Sequence, residues 1–385
     1  IYAIPEGTPI FPGEPIVTVK APAAQAQFIE TFLLLCINHQ SLIATKANRL
    51  ARAAQGRPIA EFGSRRAQGA DAGVYGARAA MIGGCVGTSN VYAGKLFHVP
   101  VSGTMAHSWV MNFPSEVEAF RAYAECFPDN CLLLVDTYDT LRSGVPNAIT
   151  VFRELREKGY EPKGIRLDSG DLAYLSKKAR EMLDEAGFEN AIICASGDLD
   201  ETLIRSLKEQ GARIDTWGVG TKLITSADMP ALGGVYKLAA VYENGKEIPK
   251  IKLSDTTEKI TNPGVKEVLR IYDAATDKAI ADYIVRAGER VDTSKPLTIF
   301  HPVDTWKRMT IENFRVRDLR EDLFRGGKRV APERTLAEIA AYREKEMSRF
   351  WEEYLRQDMP HIYKVDLSDA LYGLKQELVE EYRGQ

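Results

Sequence analysis

The sequence predicts an α/β fold built around a (β/α) barrel, and three observations carry that expectation. From Pro58 to about Leu238, short apolar runs alternate with helical stretches, and strand starts recur at the ~20–35-residue spacing of βα units. The runs are nearly continuous in apolar residues rather than alternating, as in parallel strands covered on both faces. Small and polar residues follow one strand after another; a barrel gathers such ends on a single face, whereas an open doubly wound sheet does so only near its switch point.

The elements follow in order. Thr8 to Phe11 and Ile16 to Val19 are β-prone and flank Pro12-Gly13, which predicts a hairpin. A helix is expected from Gln25 to Asn38, and a second one placing Leu42, Ile43, Lys46, Ala47, Leu50 and Ala54 on one face and stopping at Gly56. In the barrel region Phe97-x-Val99-Pro-Val101 reads as a strand. Cys131–Val135 ends in Asp136-Thr137-Tyr138-Asp139, with a helix from Pro146 to Lys158. Gly164–Leu167 ends in Asp168-Ser169-Gly170-Asp171 before a helix from Leu172 to Glu185. Ala191–Cys194 ends in Ser196-Gly197-Asp198 before a helix to Gln210, and Ile214–Trp217 ends in Gly218-Val219-Gly220-Thr221. After Leu238 short alternating strands are expected at Lys250–Leu253, Val268–Tyr272 and Ala279–Val285. The capping box Thr335-x-x-Glu338 then opens a long helix burying Leu336, Ile339, Met347, Phe350, Trp351 and Tyr354.

The 385 residues suggest two or three units: 1–56, the barrel at 57–238, and 239–385. The 50 Lys+Arg against 53 Asp+Glu leave a formal charge of −3, which excludes a nucleic-acid binder acting through bulk charge. No apolar run is expected to span a membrane. The five cysteines lack metal spacing and are scattered, as reduced thiols in a cytoplasmic protein would be. The chain opens at Ile1 without a methionine, so residues preceding it are expected.

Several groups are candidates for chemistry. Arg65 and Arg66 follow a predicted strand and offer planar forks for phosphate or carboxylate; solvent and surface ion pairs are the alternative. His107 lies among Gly103, Thr104 and Ser108 after the predicted strand ending at Val101. Asp171 and Asp198 are expected to cap helices. Asp136 and Asp168 stand earlier, still leaving their strands, and suit ribose hydroxyls or Mg²⁺. Ser196-Gly197 and Gly218-Val219-Gly220-Thr221 place backbone N–H groups beside helix starts, a phosphate cradle. Together these describe a site for a phosphorylated sugar with Mg²⁺.

The longer segments are more specific. Glu61-FGSRRAQG-Ala70, Gly103-TMAHSWVM-Asn112, Val135-DTYDTL-Arg142, Gly164-IRLDSGDL-Ala173 and Trp217-GVGTKLITS-Ala227, in that order, resemble the nicotinate phosphoribosyltransferases. The likeness extends to the opening PEGTPIFPGEP and the region from Pro302 to Met309. It implies the irregular barrel of the nicotinate and quinolinate phosphoribosyltransferases packed against an α+β sandwich, to which residues 239–385 return. It also implies transfer of phosphoribose from 5-phosphoribosyl 1-pyrophosphate (PRPP) to nicotinate in NAD salvage, coupled to ATP through a transient phosphohistidine. On that resemblance His107 is the phosphorylated residue, Arg65 and Arg166 border the nucleotide pocket, and Phe62 stacks on the pyridine. Asp136 and Asp168 would bind the ribose and the metal–pyrophosphate, and Ser196, Gly197, Gly218 and Gly220 the 5′-phosphate; Arg66, Ser169, Gly170, Asp198 and Thr221 accompany them. Family members carry an additional N-terminal segment whose aromatic completes the neighbouring subunit's pocket, which implies a homodimer.

The related nicotinamide-using enzymes carry an acidic residue where this chain has Ser89, after Gly87-Thr88. A carboxylate there repels nicotinate, whereas a serine donates a hydrogen bond to it. An inactive nucleotide-binding barrel is a second alternative. A barrel aldolase would need a Schiff-base lysine, for which only Lys222 and Lys237 stand near a strand end.

Overall fold

Six short strands lie parallel in one sheet, in the order Gly87–Thr88, Ile59–Glu61, Thr216–Val219, Ile192–Ala195, Gly164–Leu167 and Leu132–Leu134. The computed structural model describes residues 1–256 and 259–383. Leu133, Leu134, Ile165, Ile193, Trp217 and Val219 are buried along the sheet, which is what forces helices onto it. Val145–Glu157, Leu172–Glu185 and Glu201–Glu209 supply them. Asp171 starts the second by accepting the Tyr174 N–H at 3.0 Å, as expected. The third is capped not by Asp198 but by Asp200, which accepts the Leu203 N–H at 2.7 Å.

The barrel is realised as a half-barrel. Among the described residues, the outer strands Gly87–Thr88 and Leu132–Leu134 do not pair with each other, and a single bridge joins Thr88 to Val101. The strand expected at Phe97–Val101 is therefore absent. Asn90 caps a helix over Val91–Phe97 instead, and Pro100 removes a donor from any ladder that would follow.

The chain divides into two compact units, residues 36–233 and residues 1–35 with 234–385. Where a pair of helices is expected before Gly56, most of the stretch is one helix. After a short helix at Ala23–Phe28, a continuous helix runs over Glu30–Ala54. The polar stretch expected to break it, Asn38 to Ser41, contains neither glycine nor proline. Its side chains serve tertiary contacts instead: Asn38 accepts the Leu232 N–H at 2.6 Å and Gln40 accepts from Arg78 at 2.8 Å. The helical stretch Ala23–Ala54 is long and apolar enough to match a membrane span by length and composition, contrary to expectation. Its later residues Leu42, Ile43, Ala47 and Leu50 are buried in the core of the 36–233 unit.

The other unit holds a four-stranded sheet in the order Phe314–Asp318, Lys266–Asp273, Ala279–Arg286 and Lys364–Leu367, the last pair parallel. Tyr2–Ala3 pairs with Val17–Thr18, but no strand forms at Thr8–Phe11, where prolines 5, 9, 12 and 15 withhold ladder donors. The strand expected at Lys250–Leu253 lies upstream: Ala240–Glu243 pairs with Lys246–Pro249 around Asn244-Gly245, both at positive φ. The Thr335–Glu338 capping box is present, yet its helix stops at Met347 and leaves Trp351 41% exposed. In the core, Arg270 and Asp282 are fully buried and joined by two 2.7 Å hydrogen bonds; the Tyr363 hydroxyl donates to Asp282 at 3.1 Å.

Candidate active site

The C-terminal ends of the parallel strands surround a cavity of about 510 Å³. Phe62, Arg65, Arg66, Ser89, His107, Arg166, Asp168, Ser196, Gly197, Asp198, Gly218, Gly220 and Thr221, singled out from sequence, all line it. Asp136, Ser169 and Gly170 do not.

Arg166 leaves the middle of its strand and fans its guanidinium across the floor. Nε donates to the Ser196 hydroxyl and Nη1 to the Thr104 hydroxyl, each at 2.7 Å; Nη2 donates to Asp168 Oδ1 at 2.8 Å. Ser196 also donates to that carboxylate oxygen. Burial alone would raise the Asp168 pKa, but Ser196, Arg166 and the nearby His107 outweigh it and hold it below the usual carboxylate value. The result is a fixed, ionised carboxylate whose second oxygen remains for a ligand.

Asp136 lies behind that floor, with its side chain 2% exposed. Its Oδ1 is 3.2 Å from His107 Nε2, and Oδ2 accepts the Asp168 N–H at 2.9 Å and the Ser169 hydroxyl at 2.7 Å. The carboxylate expected to bind ribose and metal therefore orients His107 and the 168–169 turn. His107 opens the short helix His107–Met111 and is 39% exposed toward the cavity.

Phe62 rests on a shelf that only glycine provides: a Cβ on Gly218 would lie 2.4 Å from Phe62 Cε2. Its N–H donates to the Val219 carbonyl at 2.8 Å, and the Arg166 guanidinium carbon stands 5.8 Å from its ring centroid. Arg65 and Arg66 are exposed on a short 3₁₀ turn, Ser64–Arg66, and neither forms an ion pair among the described residues. They remain available to an anion. Gly197 sits at φ +120°, where a Cβ would press on the Asp168 carbonyl at 2.9 Å, so two strand-end loops nest against each other.

A scan of protein families matches residues 58–276 to the Nicotinate phosphoribosyltransferase (NAPRTase) family and residues 265–375 to the Nicotinate phosphoribosyltransferase C-terminal domain. The nicotinate phosphoribosyltransferase of Bacillus subtilis (strain 168) is 50% identical over 384 residues, covering 100% of this chain and 78% of that protein. The chain belongs to the nicotinate phosphoribosyltransferase family. The Dictyostelium discoideum member is 36% identical, covering 97% of this chain and 72% of its own. The crystal structure of human nicotinic acid phosphoribosyltransferase superposes with a TM-score of 0.85 at 31% identity, covering 98% of this chain and 82% of the human one. A nicotinate-nucleotide pyrophosphorylase from Pyrococcus furiosus shares the fold at a TM-score of 0.68 and 26% identity, over 90% of this chain and 80% of that one.

Within this family member, the sequence reasoning overlooked Thr104, which anchors Arg166, and the pair Lys222–Asp200 beside Thr221. The hydrogen bond that Lys222 donates to Asp200 raises the Lys222 pKa and keeps the amine protonated, the opposite of what a Schiff-base lysine needs. The Thr104 hydroxyl within GTM and the carboxylate two residues past Asp198 were the available signals.

Proposed function

We propose that the chain joins nicotinate to PRPP, giving nicotinate mononucleotide and pyrophosphate in NAD salvage, with ATP as co-substrate through transient phosphorylation of His107. The observation that carries the reading is the Arg166–Asp168–Ser196 network on the cavity floor between the Phe62 ring and His107. In the transfer, the bond from the ribose anomeric carbon to pyrophosphate breaks and a bond to the pyridine nitrogen forms. The nucleophile is the lone pair of a neutral ring nitrogen, so no general base is required. The site must stabilise the departing pyrophosphate and the positive charge developing on the sugar.

Phe62 supplies an apolar platform for the pyridine, and Ser89 at the cavity wall donates to nicotinate's carboxylate. Arg65 and Arg66 meet the pyrophosphate. The ionised Asp168 faces the ribose, where its charge favours the oxocarbenium-like state. The loops Ser196–Asp198 and Gly218–Thr221 offer N–H groups to the 5′-phosphate, with Lys222 adding positive charge. Among the described residues no cluster of three or more His, Cys, Asp or Glu is arranged to hold a metal, and both oxygens of Asp136 already accept hydrogen bonds. The donor set therefore fits Mg²⁺ carried in on PRPP, with Asp168 as its protein contact. Mg²⁺ so delivered would neutralise charge on the leaving pyrophosphate.

The test is product analysis with purified protein, PRPP and either pyridine, with and without ATP. Nicotinate mononucleotide and stoichiometric pyrophosphate are expected. Turnover of nicotinamide alone would favour the sister reaction, and binding without pyrophosphate release an inactive barrel.

A further inference from the structure

Glu61 is the last residue of the first parallel strand and is fully buried, 0% exposed, at the base of the pyridine end of the cavity. A carboxyl group there is costly unless its lone pairs are used. Oε2 accepts the hydroxyl of Thr88, itself fully buried, at 2.6 Å, and Oε1 accepts the Gly63 N–H. Burial pushes its pKa up, while those two donors pull it back.

The partners matter more than the burial. Thr88 Oγ1, whose proton goes to Glu61, accepts the Asn90 N–H at 3.0 Å. The main-chain carbonyl of Glu61 accepts the N–H of Ser89 at 2.9 Å. Ser89 is thus bracketed on both sides by bonds that lead to one residue. On the other side Gly63, held by Oε1, follows directly after Phe62. The hydroxyl assigned to nicotinate's carboxylate and the ring assigned to its pyridine share a single buried reference.

We infer that Glu61 is a positioning residue that sets recognition of the pyridine acid by fixing Ser89, through Thr88, relative to Phe62. This rests on the pyridine-end assignment made above. Glu61 touches no substrate. A carboxylate can accept from Gly63 and Thr88 at once. A glutamine keeps the Gly63 bond but turns an NH₂ toward the Thr88 oxygen, leaving the threonine proton without its acceptor. The strand ends stay paired while the Thr88–Ser89–Asn90 turn keeps only a weaker, reversed bond to residue 61.

Steady-state kinetics on the full chain with Glu61→Gln, Thr88→Val and Ser89→Ala tests this. Both Glu61→Gln and Thr88→Val should raise KM for nicotinate about tenfold, the scale of one lost charged hydrogen bond. KM for PRPP and kcat should stay within about twofold, and preference for nicotinate over nicotinamide should fall about tenfold. The double variant should be no worse than the poorer single one, because both cut the same chain of bonds. Equal rises in both KM values, or a fall in kcat with a lower Tm and unchanged KM, would overturn the positioning role. Should Ser89→Ala raise the nicotinate KM while Glu61→Gln does not, the positioning role alone fails. A flat Ser89→Ala would instead remove the pyridine-end assignment, and the positioning role with it.

Discussion

Asp136 ties His107 to the cavity-floor residue Asp168: one of its oxygens is 3.2 Å from His107 Nε2, and the other accepts the backbone N–H of Asp168 at 2.9 Å. A group added to Nε2 must displace the first bond, and the second runs to the turn that carries Asp168. His107 and Asp168 are therefore coupled through one nearly inaccessible side chain rather than by direct contact.

The first prediction concerns that coupling. His107→Ala should abolish stimulation by ATP and leave slow ATP-independent transfer, since the floor network does not need the imidazole. Rates of nicotinate mononucleotide formation with and without ATP check it; parallel loss of both activities would refute the division of labour.

Asp168→Asn should cut PRPP turnover by on the order of 100-fold with only a modest fall in Tm, because the amide keeps the shape and loses the charge. In the wild type, Asp168 is held below the usual carboxylate pKa. It therefore contributes stability that is fully present above the unfolded value of about 3.9 and is lost as pH falls through the lower folded value. The acid limb of the activity profile above pH ~5 should be the same in wild type and Asp168→Asn. A limb that vanishes in the variant would assign that titration to Asp168.

Asp282→Ala tests the core of the other unit. It leaves the buried Arg270 guanidinium without its two-bond partner and strips the Tyr363 hydroxyl of its acceptor. A loss of about 3–5 kcal/mol in unfolding free energy by urea is expected. A loss below about 1 kcal/mol would show that Arg270 finds other partners.

The working unit is expected to be at least a homodimer. Under the proposed function Phe62 would give the pyridine one aromatic face, and a second ring would add about 0.5–1.5 kcal/mol; a two-fold dimer is the commonest oligomer that could bring one. Light scattering at micromolar concentration checks it, and a fully active monomer would refute the shared pocket.

How much of this was legible in the sequence varied with the physics behind each feature. The βα units were readable because short, mainly apolar runs such as Leu132–Leu134 and Gly164–Leu167 recur between helical stretches, and Leu172–Glu185 follows its cap directly. Most cavity-lining residues were readable because strand ends converge by geometry. Whether a polar residue faces the cavity or its back was not: Asp136 and Asp168 leave their strands alike, and only neighbouring strands decide that one holds His107 and the other the floor. Nor could composition decide between two helices and the single Glu30–Ala54, since the contacts of Asn38 and Gln40 come from residues distant in sequence.

The strand Ile59–Glu61 is made early in the chain, but its neighbour on one side is Thr216–Val219, made near the end of the same unit. During translation, Phe62 must wait without the Val219 carbonyl and the Gly218 shelf until every intervening βα unit has emerged. A nascent chain halted before Thr216 would show one bare edge of its first strand to other chains, an invitation to edge-to-edge pairing. The Phe62 end of the pocket is thus completed only by one of the last strands of its unit to be made, and a chain released before Thr216 lacks it.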